Sequence, residues 1–260
     1  MARLSVTLAT LNEAANLDAC LRAAAWADEI VVVDDGSTDG TLEVARRYTD
    51  RVVVRPSHGN FHANKNLAIQ QATGDWILSL DADEIVPPDL AAEIRTAIQS
   101  TSHTAFRVGR RNYFLGRWVR HGGWYPDRII RLFRKGATEW PLEIHWVPQV
   151  SPPATVGELR GELVHLSYRS LEQYFEKFNR YTSKLASEAH DHGSVPGPAS
   201  VVTELFLRPA AWFAYKYVAL GGFRDGMPGL FIALSSALTI MVTYFKLWEM
   251  HAKPSPGPSG

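Results

Sequence analysis

The chain of 260 residues has a single cysteine, Cys20. One thiol closes no internal disulfide, so cross-links do not hold this fold, and a reducing compartment is favoured. Net charge is also missing: 27 Lys and Arg balance 27 Asp and Glu, so bulk charge gives no nucleic-acid signal. No Gly-x-Gly-x-x-Gly follows the first apolar run, and no Gly-x-x-x-x-Gly-Lys-Ser/Thr occurs anywhere. These absences argue against a dinucleotide dehydrogenase and against a P-loop NTPase. Met1-Ala2-Arg3 leads straight into an apolar pattern that Asn12 and Glu13 interrupt early, so no signal peptide is expected.

What is present begins with an alternation. Leu4 to Ala9, Glu29 to Val33, Arg51 to Arg55 and Gly74 to Leu80 read as short buried strands. Between them Asn16 to Ala25, Thr41 to Tyr48 and His62 to Ala72 carry helical spacing. Strands alternating with helices of this length imply βαβ units and a parallel sheet, an α/β class. The polar residues collect where strands end. Thr10-Leu11-Asn12-Glu13 follows the first strand, Asp34 to Gly40 the second, and Asp81-Ala82-Asp83 the fourth. In a doubly wound sheet those ends share one edge, where ligands bind.

Asp81 and Asp83 stand one residue apart, so extended backbone turns both carboxylates the same way. Hard oxygens in such a crevice suit Mg²⁺ or Mn²⁺ shared with substrate phosphates. The bland alternative is a solvated turn; a helix cap is weakened because the next helix starts only at Pro88. At the second loop, Asp35 is placed to accept from a base N–H, and Asn12 or Glu13 to hold ribose hydroxyls. An ordinary solvated turn competes with that reading too.

Three blocks together carry a resemblance. Thr10-Leu11-Asn12-Glu13, Val33-Asp34-Asp35-Gly36-Ser37-Thr38-Asp39-Gly40-Thr41, and Gly74-Asp75-Trp76 with Asp81-Ala82-Asp83 resemble the family 2 glycosyltransferases. Asn112 to Trp118, His121 to Asp127 and Arg131 to Arg134 resemble, more narrowly, the glucosyltransferases of lipopolysaccharide core synthesis. The resemblance covers about Leu4 to Met250 and implies a GT-A fold, a Rossmann-like mixed sheet flanked by helices. It implies a nucleotide-sugar donor, UDP-linked, and inversion at the anomeric carbon. Carried over, Ala9, Thr10, Asn12 and Glu13 line the nucleoside pocket, and Val33 and Asp35 contact the uracil. Lys65 approaches the base or diphosphate, with a solvated helix lysine as its alternative. Asp81, with Ala82 beside it, sits near ribose and metal, and Asp83 ligates Mg²⁺ or Mn²⁺ directly.

From Thr101 to Ser167 the composition turns basic. Nine Arg and Lys fall between Arg107 and Lys135, with Asp127 the sole carboxylate there and Tyr113, Phe114, Trp118, Trp124 and Tyr125 interleaved. Nucleic acid is one reading of such a patch. The zero net charge favours the other, a site where Arg forks grip the phosphates of a glycolipid or diphosphate. Inverting transfer needs a base for the acceptor hydroxyl. The resemblance implies a His-Glu pair near Glu139 to Trp146, but Trp146 stands where the Glu is expected. The candidates are Asp127, Glu143 and His145, the last also a possible metal or diphosphate ligand. The departure also admits a silent scaffold that binds nucleotide.

From Ser170 the pattern is helical. Met227 to Phe245 carries no charge, and Ser and Thr dilute it. Its length is near that of a membrane span, about 17–25 residues. Arg208, Lys216, Arg224 and Lys246 surround it, which suits helices lying in the membrane interface. The expected organisation is a GT-A domain over 1–167, with a nucleotide-sugar half to residue 100 and an acceptor half after it. A membrane-interfacial helical segment follows over 168–250, then a disordered tail over 251–260. The expected reaction moves a hexose from UDP to a lipid-linked glycan at the cytoplasmic face of the bacterial inner membrane, with polyprenyl phosphate as the alternative acceptor.

Overall fold

The computed structural model describes residues 1–141, 148–151 and 155–252. Two compact units emerge: Met1–Arg111 with Pro126–Leu166, and Asn112–Tyr125 with Ser167 onward. The sequence boundary was expected at residue 167; the segment 112–125, expected in the first domain, groups with the helices.

The first unit alternates as its periodicity predicts. β1 (Leu4–Thr10), α1 (Ala14–Ala24), β2 (Glu29–Asp34), α2 (Thr41–Arg46), β3 (Val52–Val54), α3 (Phe61–Gln71) and β4 (Trp76–Leu80) follow in order. Then come β5 (Glu84–Ile85), α4 (Pro88–Ala97), β6 (Ala105–Phe114), β7 (Arg117–Trp118), β8 (Arg128–Arg134), β9 (Thr138–Glu139), β10 (Gln149–Val150) and β11 (Val156–Tyr168). Every residue of β1 is buried, because β2 and β4 flank it and helices cover both faces. Leu4, Val6 and Leu8 pack toward Leu17, Cys20 and Leu21 of α1. Val31 and Val33 meet Ala68 and Ile69 of α3 on the other face.

The main sheet runs β3-β2-β1-β4-β8-β6-β11-β5. The parallel sheet expected from the alternation extends only across β3, β2, β1 and β4. Beyond β4 the pairing is antiparallel: β8 with β4, β6 with β8, and β5 with β11. Parallel neighbours need a long crossover, whereas antiparallel ones do not. No helix separates β6 from β8, and the sheet changes sense there. The result is a mixed sheet with helices on its faces.

The second unit is helical. α5 (Leu171–Asp191) starts at Ser170, whose hydroxyl accepts from the Gln173 N–H at 3.1 Å. Helical spacing of its aromatics predicts core packing, but only part of them packs: Tyr174 lies among Phe114, Tyr168 and Phe231, while Phe175 and Tyr181 are exposed. α6 (Pro198–Val202) and α7 (Arg208–Ala214) are joined through a π-helical turn, Thr203–Leu207. Pro209 sits just past that turn and has no N–H to offer the helix. A second π turn and a short 3₁₀ turn, Gly222–Asp225, lead into α8 (Met227–Ala252). An added Cβ on Gly229 would lie 1.8 Å from the Gly222 carbonyl oxygen, so only glycine fits there. α8 continues through His251 and Ala252, which were expected in the tail; the rest of the tail lies outside the described residues. Among the described residues it is the one helix long and apolar enough to cross a membrane.

Candidate active site

The loops after β1 and β2 are laced together. Asn12 adopts a left-handed backbone, φ +53°, which asparagine tolerates. Its side-chain oxygen accepts from the Thr38 N–H at 2.8 Å, and its own N–H donates to Ser37 Oγ at 2.8 Å. The Glu13 N–H donates to Thr41 Oγ1 at 2.8 Å, and its carboxylate accepts from Asn16 Nδ2 at 2.7 Å. Buried Asp34 caps its own turn, accepting from the Gly36 and Ser37 N–H groups at 3.0 and 2.8 Å. Asp35 turns to the next loop and accepts from Ser57 Oγ at 2.6 Å and from the Ser57 N–H.

At the end of β4 lies a chain of charges, all in the first unit. Asp81 forms an ion pair with Lys65 Nζ at 2.6 Å and a second with Arg131. Arg131 also reaches Glu84 at 2.6 Å, and Glu84 meets Arg110 at 3.3 Å. Arg110 closes on Asp127 through Nε at 2.9 Å and Nη2 at 2.7 Å. Glu84 is fully buried and Arg131 2% exposed, so these charges hold one another in place of water. Burial alone would raise the Asp81 carboxyl, but Arg131 and Lys65 outweigh it and hold it well below the usual carboxylate range. Burial pushes the Lys65 ammonium down, with Asp81 opposing. Asp83 turns to His165, whose Nε2 lies 3.5 Å from Oδ2.

Trp140 forms the apolar floor of this chain. Lys65 Nζ stands 4.0 Å from its ring centroid, and the Arg131 guanidinium 5.8 Å. Asn66 fixes Trp140 as a neighbouring strand would, accepting from its N–H at 2.9 Å and donating to its carbonyl at 2.8 Å.

Residues 5–147 match the pattern of Glycosyl transferase family 2, more than half of the chain. The chain belongs to that family. It is a glycosyltransferase, and its mixed sheet with flanking helices is the GT-A arrangement the sequence resemblance implied. A lipopolysaccharide core biosynthesis glycosyltransferase of Rhizobium meliloti is 28% identical over 261 residues, covering 96% of this chain and 93% of the relative. An uncharacterized glycosyltransferase of Rickettsia bellii is 28% identical over 246 residues, covering 86% and 81%. Among solved structures, S. aureus TarS 1–349 with UDP-GlcNAc superposes with a TM-score of 0.48 at 16% identity, covering 96% of this chain and 91% of that one.

In this glycosyltransferase Ala9, Thr10, Val33 and Ala82 are buried at or just past the strand ends. Asn12 and Glu13 knit the loops together. Lys65 is no solvated helix lysine but is 7% exposed and paired with Asp81. Asp81 and Lys65 meet, whereas Asp83 faces His165. Asp127 is drawn into the charge chain by Arg110. Glu143 and His145, with Trp146, lie outside the described residues. Sequence reasoning missed Glu84, Arg110, Arg131 and His165 as parts of one constellation. Arg131 did carry a signal: in Ile129-Ile130-Arg131-Leu132-Phe133 it alternates onto the same strand face as Phe133.

Proposed function

We propose that this family 2 glycosyltransferase transfers a hexose, with inversion, from a UDP-linked sugar to a lipid-linked glycan such as a lipopolysaccharide core. The reaction takes place at the cytoplasmic face of the membrane. The observation that carries the reading is the pair Asp81 and Asp83 at the C-terminal end of β4, the strand end where open α/β sheets take ligands. The named role of the Rhizobium relative supports the class of acceptor. The exposed apolar helices support a membrane-borne one.

A divalent ion fits this donor set in one way. Asp81 is already committed to Lys65 and Arg131. Among the described residues no group of three His, Cys, Asp or Glu converges into a cage. The arrangement therefore suits Mg²⁺ or Mn²⁺ that keeps waters and takes substrate phosphates, with Asp83 as the protein carboxylate. When bound, the ion supplies positive charge to the departing diphosphate.

The chain's own residues do the rest. Asp35 and the laced β1 and β2 loops hold the nucleoside. Lys65 and Arg131 fix Asp81 so that the β4 end keeps one conformation. Arg110 orients Asp127, which accepts the proton of the attacking hydroxyl; Glu143 and His145 are the other base candidates. Purified protein with Mn²⁺ and radiolabelled UDP-hexoses tests this against two acceptors, rough lipopolysaccharide and polyprenyl phosphate. Label in the lipopolysaccharide is expected. Label only in the polyprenyl fraction would move the acceptor, and neither transfer nor donor hydrolysis above background would leave a silent scaffold.

A further inference from the structure

The second unit carries a cationic cluster that the transfer reaction does not use. Two segments, 119–123 and 216–226, are zipped together there. The Gly122 N–H donates to the Leu220 carbonyl at 3.0 Å, and Lys216 Nζ to the Gly122 carbonyl at 3.2 Å. Asp225 completes the zip. It accepts from the Arg120 and His121 N–H groups at 3.1 and 2.8 Å and meets His121 Nδ1 at 2.9 Å. Three cations stand on these two segments: Arg120, Lys216 and Arg224. A Cβ on Gly221 would lie 3.8 Å from Arg224 Nε and 3.6 Å from the His121 ring, which places both side chains at one turn.

None of these three cations has a carboxylate partner among the described residues. Asp225, which follows Arg224 in the chain, is occupied by His121 and by two backbone N–H groups. Arg120 lies over the Trp118 ring at 4.0 Å, and Arg224 over Phe223 at 5.7 Å. Lys216 is partly buried, and burial pushes its ammonium down with no anion opposing the shift. This contrasts with Arg208 of the same unit, which pairs with Glu204. The rim is apolar and open: Trp212, Tyr215, Val218, Phe223 and Met227 are all exposed. Unpaired cations rimmed by exposed aromatics match a phosphate carried at the surface of an apolar phase.

We infer that Arg120, Lys216 and Arg224, set on the His121–Asp225 junction, form a binding site for the phosphate of an anionic membrane lipid. The site rests on the reading of the helical unit as membrane-interfacial, and it makes that reading specific. Arg forks and a lysine ammonium suit phosphate oxygens, and the exposed ring and methyl groups suit the acyl region beside them. A soluble phosphate would leave that rim in water.

The test is flotation of the full chain with vesicles of phosphatidylcholine alone or with phosphatidylglycerol. The wild type should bind both, and phosphatidylglycerol should strengthen binding. Lys216→Met with Arg224→Ala should lose about thirty-fold on phosphatidylglycerol vesicles, at about 1 kcal/mol per basic residue. Its binding to phosphatidylcholine should not change. Lys216→Arg with Arg224→Lys should keep wild-type binding, which guards against a folding defect. Arg208→Ala should have far less effect. Equal loss from Arg208→Ala would reveal a diffuse field and overturn the site, as would an unaffected double variant. Full competition by millimolar inorganic phosphate would show a free-phosphate site and overturn the lipid assignment. A wild type that floats with neither vesicle would instead sink the membrane reading itself.

Discussion

The two units treat charge and apolar surface in opposite ways. In the sheet unit six charged side chains, from Lys65 to Asp127, pair in sequence at the end of β4, and Arg131 and Glu84 have lost nearly all water. In the helical unit large apolar side chains face outward, with Phe206, Leu207 and Val218 each more than 60% exposed. Among the described residues, Arg120, Lys216 and Arg224 of this unit have no carboxylate partner. Buried pairs contribute little net stability but are costly to break, so they fix one geometry. Exposed apolar surface of this extent marks a contact still to be made. In the function proposed above, the first unit holds a small ligand in one pose and the second meets a membrane.

The most disruptive change should be Arg131→Met. It leaves Asp81 and Glu84 facing each other with one fewer cation, and should cost about 3–5 kcal/mol by urea unfolding. Its acid unfolding should shift as well. The Asp81 carboxyl is depressed in the fold, so its contribution is complete above the ordinary carboxylate pKa of about 4 and is lost as pH falls through the lower folded value. Without Arg131 the contribution should be smaller and its loss should end at higher pH. Identical acid-unfolding midpoints would show that Arg131 does not hold Asp81.

Next in size is Asp83→Ala, expected to lower transfer by about a hundredfold or more, the scale of a lost electrostatic stabiliser. Its thermal melt should match the wild type, since Asp83 stands outside the buried charge chain. Normal transfer rates would remove Asp83 from the metal. Asp35→Ala should weaken UDP binding by about 1.5–3 kcal/mol, the scale of a hydrogen bond to a charged group. Unchanged calorimetric affinity would leave Asp35 only its Ser57 contacts. The smallest effect belongs to the helical unit. Phe206→Ser should change stability in water by less than about 0.5 kcal/mol, because the side chain is already exposed. A large loss would mean that Phe206 packs in solution and that the two units differ less in exposed apolar surface.

Much of the sheet unit was legible because its information is local. Each strand from β1 to β4 is a short apolar run, and each polar loop follows a strand end. The antiparallel half was not legible, since nothing in β6 or β8 alone says which neighbour it will take. The charge chain was legible only in parts: Asp81, Lys65 and Asp127 stood out, but Glu84 reads as one more acid after Asp83 until β5 turns it inward. Arg110 was lost among nine basic residues and Arg131 showed only its alternation with Phe133; pairing between distant strands is what buries them. In the helical unit the apolar run of α8 was plain. The π turns around α7 were not, because π-helical hydrogen bonding has no fixed sequence signature beyond the nearby Pro209.

The proposed function needs a nucleotide site completed by a divalent ion on Asp83. Calorimetric titration of the full chain with UDP, in Mn²⁺ and again in EDTA, tests it most directly. Binding in Mn²⁺ that collapses in EDTA, and that is absent from Asp83→Ala in either buffer, is the predicted result. UDP binding of equal strength in both buffers, or retained by Asp83→Ala, would contradict it.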